Sequence, residues 1–270
     1  MPAERMLDDI AGLQERWGFD VVRFYDANYG VMEKRVRDFA QGVLDRGLKL
    51  WQYGYMQAPS VVRFEDRTVE ALAASGFYQI LIGGEAGTDE TMKAIKKTTR
   101  GDENLQAAVR LARHGITPQL TYVIGYPEES AQSMLATIDQ CRRVQIAVPE
   151  SHPEVWPFRP IPGTPAYRQA LELGYEAPRN LLEWGRIGDY RLHETWRGKI
   201  PPRVARARKT LIHYSGLAKG RVRGRIGWWE RRARRRMERG DFRFARIEAK
   251  AFDVYRRVSL KLSTDTAQAH

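Results

Sequence analysis

One uninterrupted stretch, Phe77 to Thr99, constrains the fold more than any other part of the sequence. An apolar run with Ile80, Leu81 and Ile82 is bounded by glycines, which is typical of a buried strand. The next helix is predicted to begin after Thr88, with acidic residues in its first turn and lysines towards its end, as the helix dipole favours. A strand followed directly by such a helix predicts one βα unit of a parallel sheet.

The same alternation of strand and helix recurs along most of the chain. Strand candidates begin near residues 20, 48, 77, 118 and 147, and apolar residues at helical spacing lie between them. These repeats predict an α/β fold with right-handed crossovers, either wound as an open sheet or curved towards a (β/α) barrel. A regular barrel opens with a strand, whereas this chain opens with a helix, so we expect it to start partway through one unit.

The strand pattern stops after the turn at residues 161 to 167, and the rest of the chain is predicted to be helical. In the last predicted helix, an apolar stripe is expected to pack on the outside or the open edge of the barrel. Its members are Phe244, Ile247, Ala251, Val254, Tyr255 and Val258. We therefore predict a partial barrel over residues 1–175 and a helical extension over residues 176–270.

Charge is divided unevenly between these regions. Residues 197–250 hold 19 of the 45 basic residues but only 4 of the 33 acidic ones. Arginines beside tryptophans can hold nucleic acid or lie on an anionic membrane surface. No nucleic-acid motif surrounds them, so nucleic acid is not expected, and the choice lies between a solvated helix face and a membrane surface. The residues concerned are Trp228, Trp229, Arg231, Arg232, Arg234, Arg235, Arg236 and Arg239.

Cys141 is the only cysteine in 270 residues. The chain therefore cannot form an internal disulfide or supply the several thiolates of an iron–sulfur site. The position of Cys141 on the apolar face of a predicted helix is typical of a core residue.

The histidines are too scattered to predict a metal site. No apolar run approaches membrane-spanning length and the polar start is not a signal peptide, which predicts a cytoplasmic location.

Polar side chains follow several predicted strands at their carboxyl ends, where α/β folds bind their ligands. Such a rim suits a polar small molecule, and Lys97 adds a cation for a carboxylate or phosphate. Considered alone, Glu85 would be a turn cap and Lys97 a solvated helix-end lysine. The rim candidates are Asp26, Asn28, Gln52, Glu85, Thr121 and the residues around His152, with glycines 83, 84, 87 and 125 expected to let a ligand approach the backbone.

Four motifs in register support a family resemblance: FYDANYG, IGGEAGTDETMKAIKKTT, GITPQLTYVIGYPEES and RPIPGTPAY. In this order and spacing they resemble the core of radical S-adenosylmethionine enzymes. The likeness is greatest to the cobalamin-binding group, which includes anaerobic magnesium-protoporphyrin cyclase-like proteins and radical methyltransferases. It covers residues 5 to 175 and implies a partial (β/α) barrel of the TIM-barrel type. It also implies radical methylation or cyclisation of an organic small-molecule substrate.

The resemblance implies a site for the methionine part of S-adenosylmethionine. Asp26 and Asn28 lie in the turn where the family holds the methionine ammonium group, and a carboxylate suits an ammonium. Lys97 falls where a basic side chain of the family meets the methionine carboxylate. The charges predicted at these positions are therefore complementary to those of the ligand.

The resemblance also implies a site for the nucleoside part of the ligand. Glu85 and Thr121 match positions where polar side chains lie near the ribose hydroxyl groups. Ile124 and Gly125 match positions where apolar surface and backbone meet the adenine. These four residues are carried over from the family and are expectations for this chain.

The cluster motif of the family is absent from this sequence. The family binds a [4Fe-4S] cluster through C-x-x-x-C-x-x-C after the first barrel strand, and its cobalamin-binding domain is normally amino-terminal. We therefore expect S-adenosylmethionine as a cofactor, with [4Fe-4S] and cobalamin only if a missing upstream segment or a partner chain supplies them. A truncated gene model, one part of a split enzyme and a degenerate relative are the alternatives.

Two functions follow from these expectations. The first is a fragment of a radical enzyme core, and the second is a non-catalytic S-adenosylmethionine-binding or interaction protein that keeps the fold.

The strand DVVRFY would present an unpaired edge in a barrel without its first strand, and such edges pair with other chains. We expect the upstream part of a split enzyme, a second copy or the arginine-rich tail to cover this edge.

Overall fold

The structure, a computed structural model, describes residues 1–188, 200–218, 227–245 and 247–255. The chain divides into two compact units, Met1–Ala205 and Arg206–His270, and each is described by itself. The domain boundary expected at residue 175 stays a prediction.

The first unit alternates helices and strands, as the periodicity predicts. Its elements are α1 (Ala3–Trp17), β1 (Val21–Arg23), a 3-10 turn (Tyr29–Val31), α2 (Glu33–Asp45), β2 (Trp51–Met56), α3 (Ala58–Arg63), α4 (Asp66–Ala74), β3 (Phe77–Glu85), α5 (Asp89–Ala94), α6 (Gly101–Arg113), β4 (Thr117–Ile124), α7 (Ala131–Ala147), β5 (His152–Pro157), α8 (Pro165–Glu172) and α9 (Leu181–Gly188).

The strands form one five-stranded sheet in the order β1-β2-β3-β4-β5, and every neighbouring pair is parallel. Among the residues that the structure describes, the sheet does not close, because β1 and β5 each pair on one side only. The predicted partial (β/α) barrel is therefore confirmed. Sequential order with crossovers of one hand places the connecting helices on the same face of the sheet.

The two faces of the sheet differ in burial. On the helix-covered face the side chains are buried, including Ile80, Ile82, Leu120, Tyr122 and Ile124. Parallel sheets are normally covered on both faces, yet the alternate residues here are half-buried or exposed. We call this second surface the open face. Its residues include Tyr53, Tyr55, Gln79, Leu81, Gly83, Gln119, Thr121, Val123, Glu154 and Trp156.

The strand expected near residue 147 begins later, at His152. Residues 145–147 belong to α7, because the buried positions of that helix continue at helical spacing through Cys141 and Val144. Gln145 also lies on the buried side, where its side-chain amide donates to the Pro149 carbonyl oxygen at 2.7 Å. Apolar composition alone did not distinguish the last turn of the helix from the start of the strand.

The second unit is helical. It contains most of α10 (Pro202–Ala218), α11 (Gly227–Arg239) and a helix over residues 247–255. In this last helix Glu248 and Phe252 are buried. Arg232 and Arg236 donate to Glu248 Oε1, with their Nη2 atoms at 2.6 and 2.7 Å, and the Tyr214 hydroxyl donates to Glu248 Oε2.

The apolar stripe predicted on the last helix is not buried. Phe244, Ile247, Ala251, Val254 and Tyr255 are exposed, and Val258 lies outside the described residues. The packing of this stripe on the barrel stays a prediction, and within the second unit the helix buries Glu248 and Phe252 instead. None of the described helices combines the length and the apolar character that crossing a bilayer requires.

Candidate functional site

The end of β3 and the segments that follow β3 and β4 have unusual backbone geometry. Glu85, Lys96 and Glu128 have φ values of 52°, 58° and 64°, and they are the non-glycine residues with positive φ among those the structure describes. Each such conformation costs on the order of 1 kcal/mol, and strain of this kind concentrates at functional sites. The geometry therefore directs attention to this rim.

Glu85 and Lys97 form an ion pair at the rim. Glu85 Oε1 lies 2.9 Å from Lys97 Nζ, with side chains that are 22% and 41% exposed. The predicted Thr88 cap is confirmed, since its hydroxyl accepts from the Thr91 backbone N–H. The helix ends at Ala94, so Lys97 lies in the following turn and is not a helix-end lysine. Lys97 therefore reaches back over the end of β3.

The rim also includes Tyr126, which is close enough to Glu85 for that carboxylate to affect the pKa of its hydroxyl. Burial, and secondarily the nearby Glu85 carboxylate, raise the pKa of Tyr126 well above its ordinary value. The phenol therefore stays protonated at neutral pH and can donate a hydrogen bond. Glu85 thus has a cation and a hydroxyl donor beside it.

Sequence reasoning missed Glu129. Its Oε2 accepts from the backbone N–H groups of Gly125 at 2.7 Å and Tyr126 at 3.2 Å, and its Oε1 accepts from the Ser133 hydroxyl at 3.0 Å. Burial raises the pKa of Glu129 despite these hydrogen bonds. An available signal was the carboxylate directly before Ser130, the residue that caps α7. Glu129 fixes the turn at Gly125.

Hydroxyl groups join the loops beneath this rim. The Ser133 hydroxyl lies 3.0 Å from that of Thr88 and 2.7 Å from that of Thr91. The Gly87 backbone N–H donates to Thr137 Oγ1 at 2.9 Å. The start of α5 and the first turns of α7 are therefore held together.

Two of the predicted ligand-approach glycines serve packing. A Cβ at Gly84 would lie 2.8 Å from the Tyr122 ring, and one at Gly87 would lie 2.5 Å from the Thr137 Cα. The prediction for these two is wrong, because protein atoms fill the space. A Cβ at Gly125 would meet the Ile200 side chain at 3.1 Å, and one at Gly83 would meet Glu85 Oε1 at 2.8 Å.

Asp26 and Asn28 lie at a second position on the rim, after β1. Asp26 is exposed, and its Oδ1 is 3.6 Å from Arg35 Nη2. Asn28 Oδ1 accepts from the backbone N–H groups of Gly30 at 3.2 Å and Gln57 at 3.1 Å. β1 lies two strands from β3, which corresponds to about 10 Å across the sheet. Asn28 shapes the turn that presents the Asp26 carboxylate.

The remaining predicted residues occupy different environments. Thr121 lies on the open face in the middle of β4, paired in register with Gly83 and Glu154. Ile124 is fully buried on the helix-covered face, so its side chain has no exposed surface that could contact an adenine. Its assignment as an adenine contact stays a prediction.

Gln52 and His152 are not at the rim. Gln52 is the second residue of β2 and His152 the first of β5, so both are near the opposite ends of their strands. The Gln52 side chain is fully buried and its amide donates to the Ser75 carbonyl oxygen. The rim prediction for these two residues is therefore wrong.

An iron–sulfur cluster does not fit the residues of this chain. Cys141 is buried on α7, and one thiolate is fewer than such clusters need. The described residues include no group of three or more His, Cys, Asp or Glu side chains that could hold a metal ion. The rim does offer separated acidic and basic groups, which suit a zwitterionic organic ligand.

No protein-family model matches the sequence. The chain is 27% identical over 171 residues to bacteriochlorophyllide d C-12(1)-methyltransferase of Chlorobaculum tepidum, a match over 61% of this chain and 35% of that protein. It is 20% identical over 168 residues to an uncharacterized methyltransferase of Pyrococcus horikoshii, over 62% of this chain and 35% of that protein. The chain thus spans about a third of the length of these curated relatives.

Among solved structures, the chain resembles the radical S-adenosylmethionine methyltransferase TsrM from Kitasatospora setae. The TM-score is 0.54 at 14% identity, over 88% of this chain and 55% of that one, in a structure with cobalamin and a [4Fe-4S] cluster bound. In a second structure, with tryptophan and an S-adenosylmethionine analogue bound, the TM-score is 0.53 at 15% identity, over 65% of this chain and 34% of that one. The predicted resemblance to radical S-adenosylmethionine enzymes is confirmed in the fold.

Proposed function

We propose that this chain is part of the core of a radical S-adenosylmethionine methyltransferase. The observation that carries the proposal is the charged rim of an unclosed parallel sheet whose fold resembles TsrM. The curated relatives are methyltransferases, which supports methylation and gives no support to the cyclisation expected as an alternative. The substrate is an organic small molecule, and the location is cytoplasmic.

Within this function, Lys97 binds the methionine carboxylate and Asp26 the ammonium group of S-adenosylmethionine. The exposed fraction of the Lys97 side chain supports its role, because an ammonium already paired with Glu85 can still donate to a second carboxylate. Asp26 is exposed and its contact with Arg35 is long, so its carboxylate keeps acceptor capacity. Asn28 acts through the turn that it stabilises.

The nucleoside part lies against β3 and β4. Glu85 and Thr121 accept from or donate to the ribose hydroxyl groups, and the backbone at Ile124 and Gly125 lies along the adenine. Glu129 supports this arrangement by holding the Gly125 and Tyr126 N–H groups in one orientation. The [4Fe-4S] cluster and cobalamin would be held by polypeptide outside residues 1–270, because Cys141 alone cannot ligate a cluster.

Calorimetry of the purified chain with S-adenosylmethionine tests the residue roles. We expect weak binding, and a loss of about tenfold or more in both Lys97→Ala and Glu85→Ala, since a hydrogen bond to a charged group contributes about 1.5–3 kcal/mol. Lys93→Ala is the matched control, because it removes the same charge from an exposed position on α5. Unchanged affinity in both rim variants, with the control also unchanged, would remove the assignment.

The second candidate is a non-catalytic protein that binds S-adenosylmethionine, and the single cysteine is the observation that favours it. The DNA immediately upstream of the Met1 codon distinguishes the two. An in-frame or frameshifted C-x-x-x-C-x-x-C sequence supports the enzyme, and co-expression with that segment should then yield cleavage of S-adenosylmethionine. Binding without cleavage in the co-expressed complex would favour the second candidate.

A further inference from the structure

A groove of about 280 Å³ in the second unit is lined by Trp228, Arg232, Arg235, Arg236 and Arg239. We call it the arginine groove. The spacing of these residues places them on one face of α11. Small-molecule pockets span roughly 300–1,000 Å³, so the arginine groove suits a ligand of headgroup size.

The arginine groove combines fixed and unpaired guanidinium groups. Arg232 and Arg236 each form an ion pair with the buried Glu248. Arg236 Nη1 also lies 3.0 Å from Asp241 Oδ2. Arg235 and Arg239 are exposed and have no acidic partner among the described residues. Two acidic groups thus face four arginines, which leaves a positive site. Planar guanidinium groups match phosphate oxygens well.

Exposed aromatic side chains border the arginine groove. The Arg232 guanidinium lies 5.4 Å from the Trp228 ring, and that of Arg236 lies 5.6 Å from the Phe244 ring. Trp228 is 54% and Phe244 53% exposed. Ile247, one turn after Phe244, is exposed as well. Aromatic and aliphatic groups beside arginines are typical of surfaces that lie in the headgroup region of a membrane.

We propose that the arginine groove binds the phosphate of an anionic phospholipid, with Trp228 and Phe244 entering the headgroup region. The exposed aliphatic side chain of Ile247 favours this ligand over nucleic acid, because a bilayer takes up aliphatic surface whereas base stacking uses aromatic rings. Each arginine near an anionic surface contributes about 1 kcal/mol. This site is independent of the rim of the first unit and of the function proposed for it.

Sedimentation of the full chain with vesicles tests the proposal. The chain should bind vesicles of phosphatidylcholine with about one third phosphatidylglycerol and leave phosphatidylcholine vesicles unbound, because anionic lipid supplies the attraction. Replacing both Arg235 and Arg239 by alanine should weaken binding by about thirtyfold. The matched control replaces Arg231 and Arg234, exposed arginines of α11 that do not line the groove. Phe244→Ser should also weaken binding.

Three results would overturn the proposal. Equal losses in the groove and control variants would mean that net charge alone binds the vesicles. Calorimetric binding of inorganic phosphate that depends on Arg235 and Arg239, without vesicle binding, would identify a free phosphate as the ligand. Binding of duplex DNA or RNA that depends on these arginines, again without vesicle binding, would identify a nucleic-acid site. Circular dichroism confirms that each variant folds.

Discussion

Two carboxylates of the same rim have opposite surroundings. Glu85 is partly exposed and pairs with Lys97, so a ligand can reach it. Glu129 is half-buried and accepts hydrogen bonds from two backbone N–H groups and one hydroxyl. The first therefore suits ligand contact, and the second suits positioning of the backbone that a ligand would meet.

Two replacements of Glu129 distinguish the effect of its charge from the effect of its hydrogen bonds. Burial raises the pKa of Glu129, so the folded state binds the proton more tightly than the unfolded state does. The wild-type protein should therefore gain stability as pH falls from 7 through the raised pKa towards about 4.3, the ordinary value for Glu. Glu129→Gln should lack this gain. Glu129→Ala should lose about 1–3 kcal/mol at pH 7, because the backbone donors lose their partner.

Urea denaturation at several pH values measures both effects. The difference in unfolding free energy between the wild-type protein and Glu129→Gln should grow as pH falls. Glu128→Gln is the control, since Glu128 is its exposed neighbour. A difference that is constant with pH would mean that the hydrogen bonds to the carboxylate offset its burial, and the predicted gain of stability at lower pH would be wrong.

At the scale of elements, the contact between the Gly87 loop and α7 fixes the position of the loop that follows β3. The Gly87 backbone lies against the Thr137 backbone, and Thr137 Oγ1 accepts from the Gly87 N–H. α7 also carries Ser133, which bonds to Glu129 and approaches Thr88. One helix therefore positions both rim loops.

Gly87→Ala tests this contact. The added Cβ would lie 2.5 Å from the Thr137 Cα, so the helix must move, and we expect a loss of about 1–3 kcal/mol, as in overpacked cores. Gly12→Ala is the control, because its Cβ meets nothing within 4 Å in α1. That change should stabilise the chain by up to about 1 kcal/mol through helix propensity. Equal midpoints of thermal unfolding for the two variants would contradict the packing argument.

Sequence periodicity predicts the strand order and helix faces where apolar residues are regularly spaced, as at Ile80 and Ile82. It fails where a polar group is buried with its partner. In β2, Gln52 is buried while Trp51 is exposed, because the Gln52 amide bonds to the Ser75 carbonyl. Glu248, which pairs with Arg232 and Arg236, is likewise buried in the last helix. Such partners are distant in sequence, so no local pattern indicates them.

At the scale of the whole molecule, the sheet combines the open face with a β1 edge that no other described strand pairs with. Unpaired strand edges and uncovered sheet surface both promote association. Arg23 lies 5.2 and 5.4 Å from the rings of the open-face residues Tyr53 and Tyr55, and 4.3 Å from the ring of Tyr25, which follows β1. This surface suits a covering polypeptide or ligand.

We predict that the isolated chain self-associates despite its net charge of +12. Co-expression with a cysteine-bearing segment that supplies the neighbouring strand should instead give a one-to-one complex, because the edge is then paired. Light scattering on the chain alone and on the co-expressed material measures both states. A monomer that co-expression leaves unchanged would contradict the prediction and indicate a self-contained fold.

The buried Cys141 gives the chain one thiol, on the same helix as Ser133 and Thr137. A thiol reagent cannot reach this sulfur until α7 opens locally, so the modification rate measures how often that opening occurs. The natural sequence therefore needs no introduced label for such kinetics. A ligand or partner polypeptide that holds the rim loops together would slow the modification of Cys141, even if its binding produced no measurable heat.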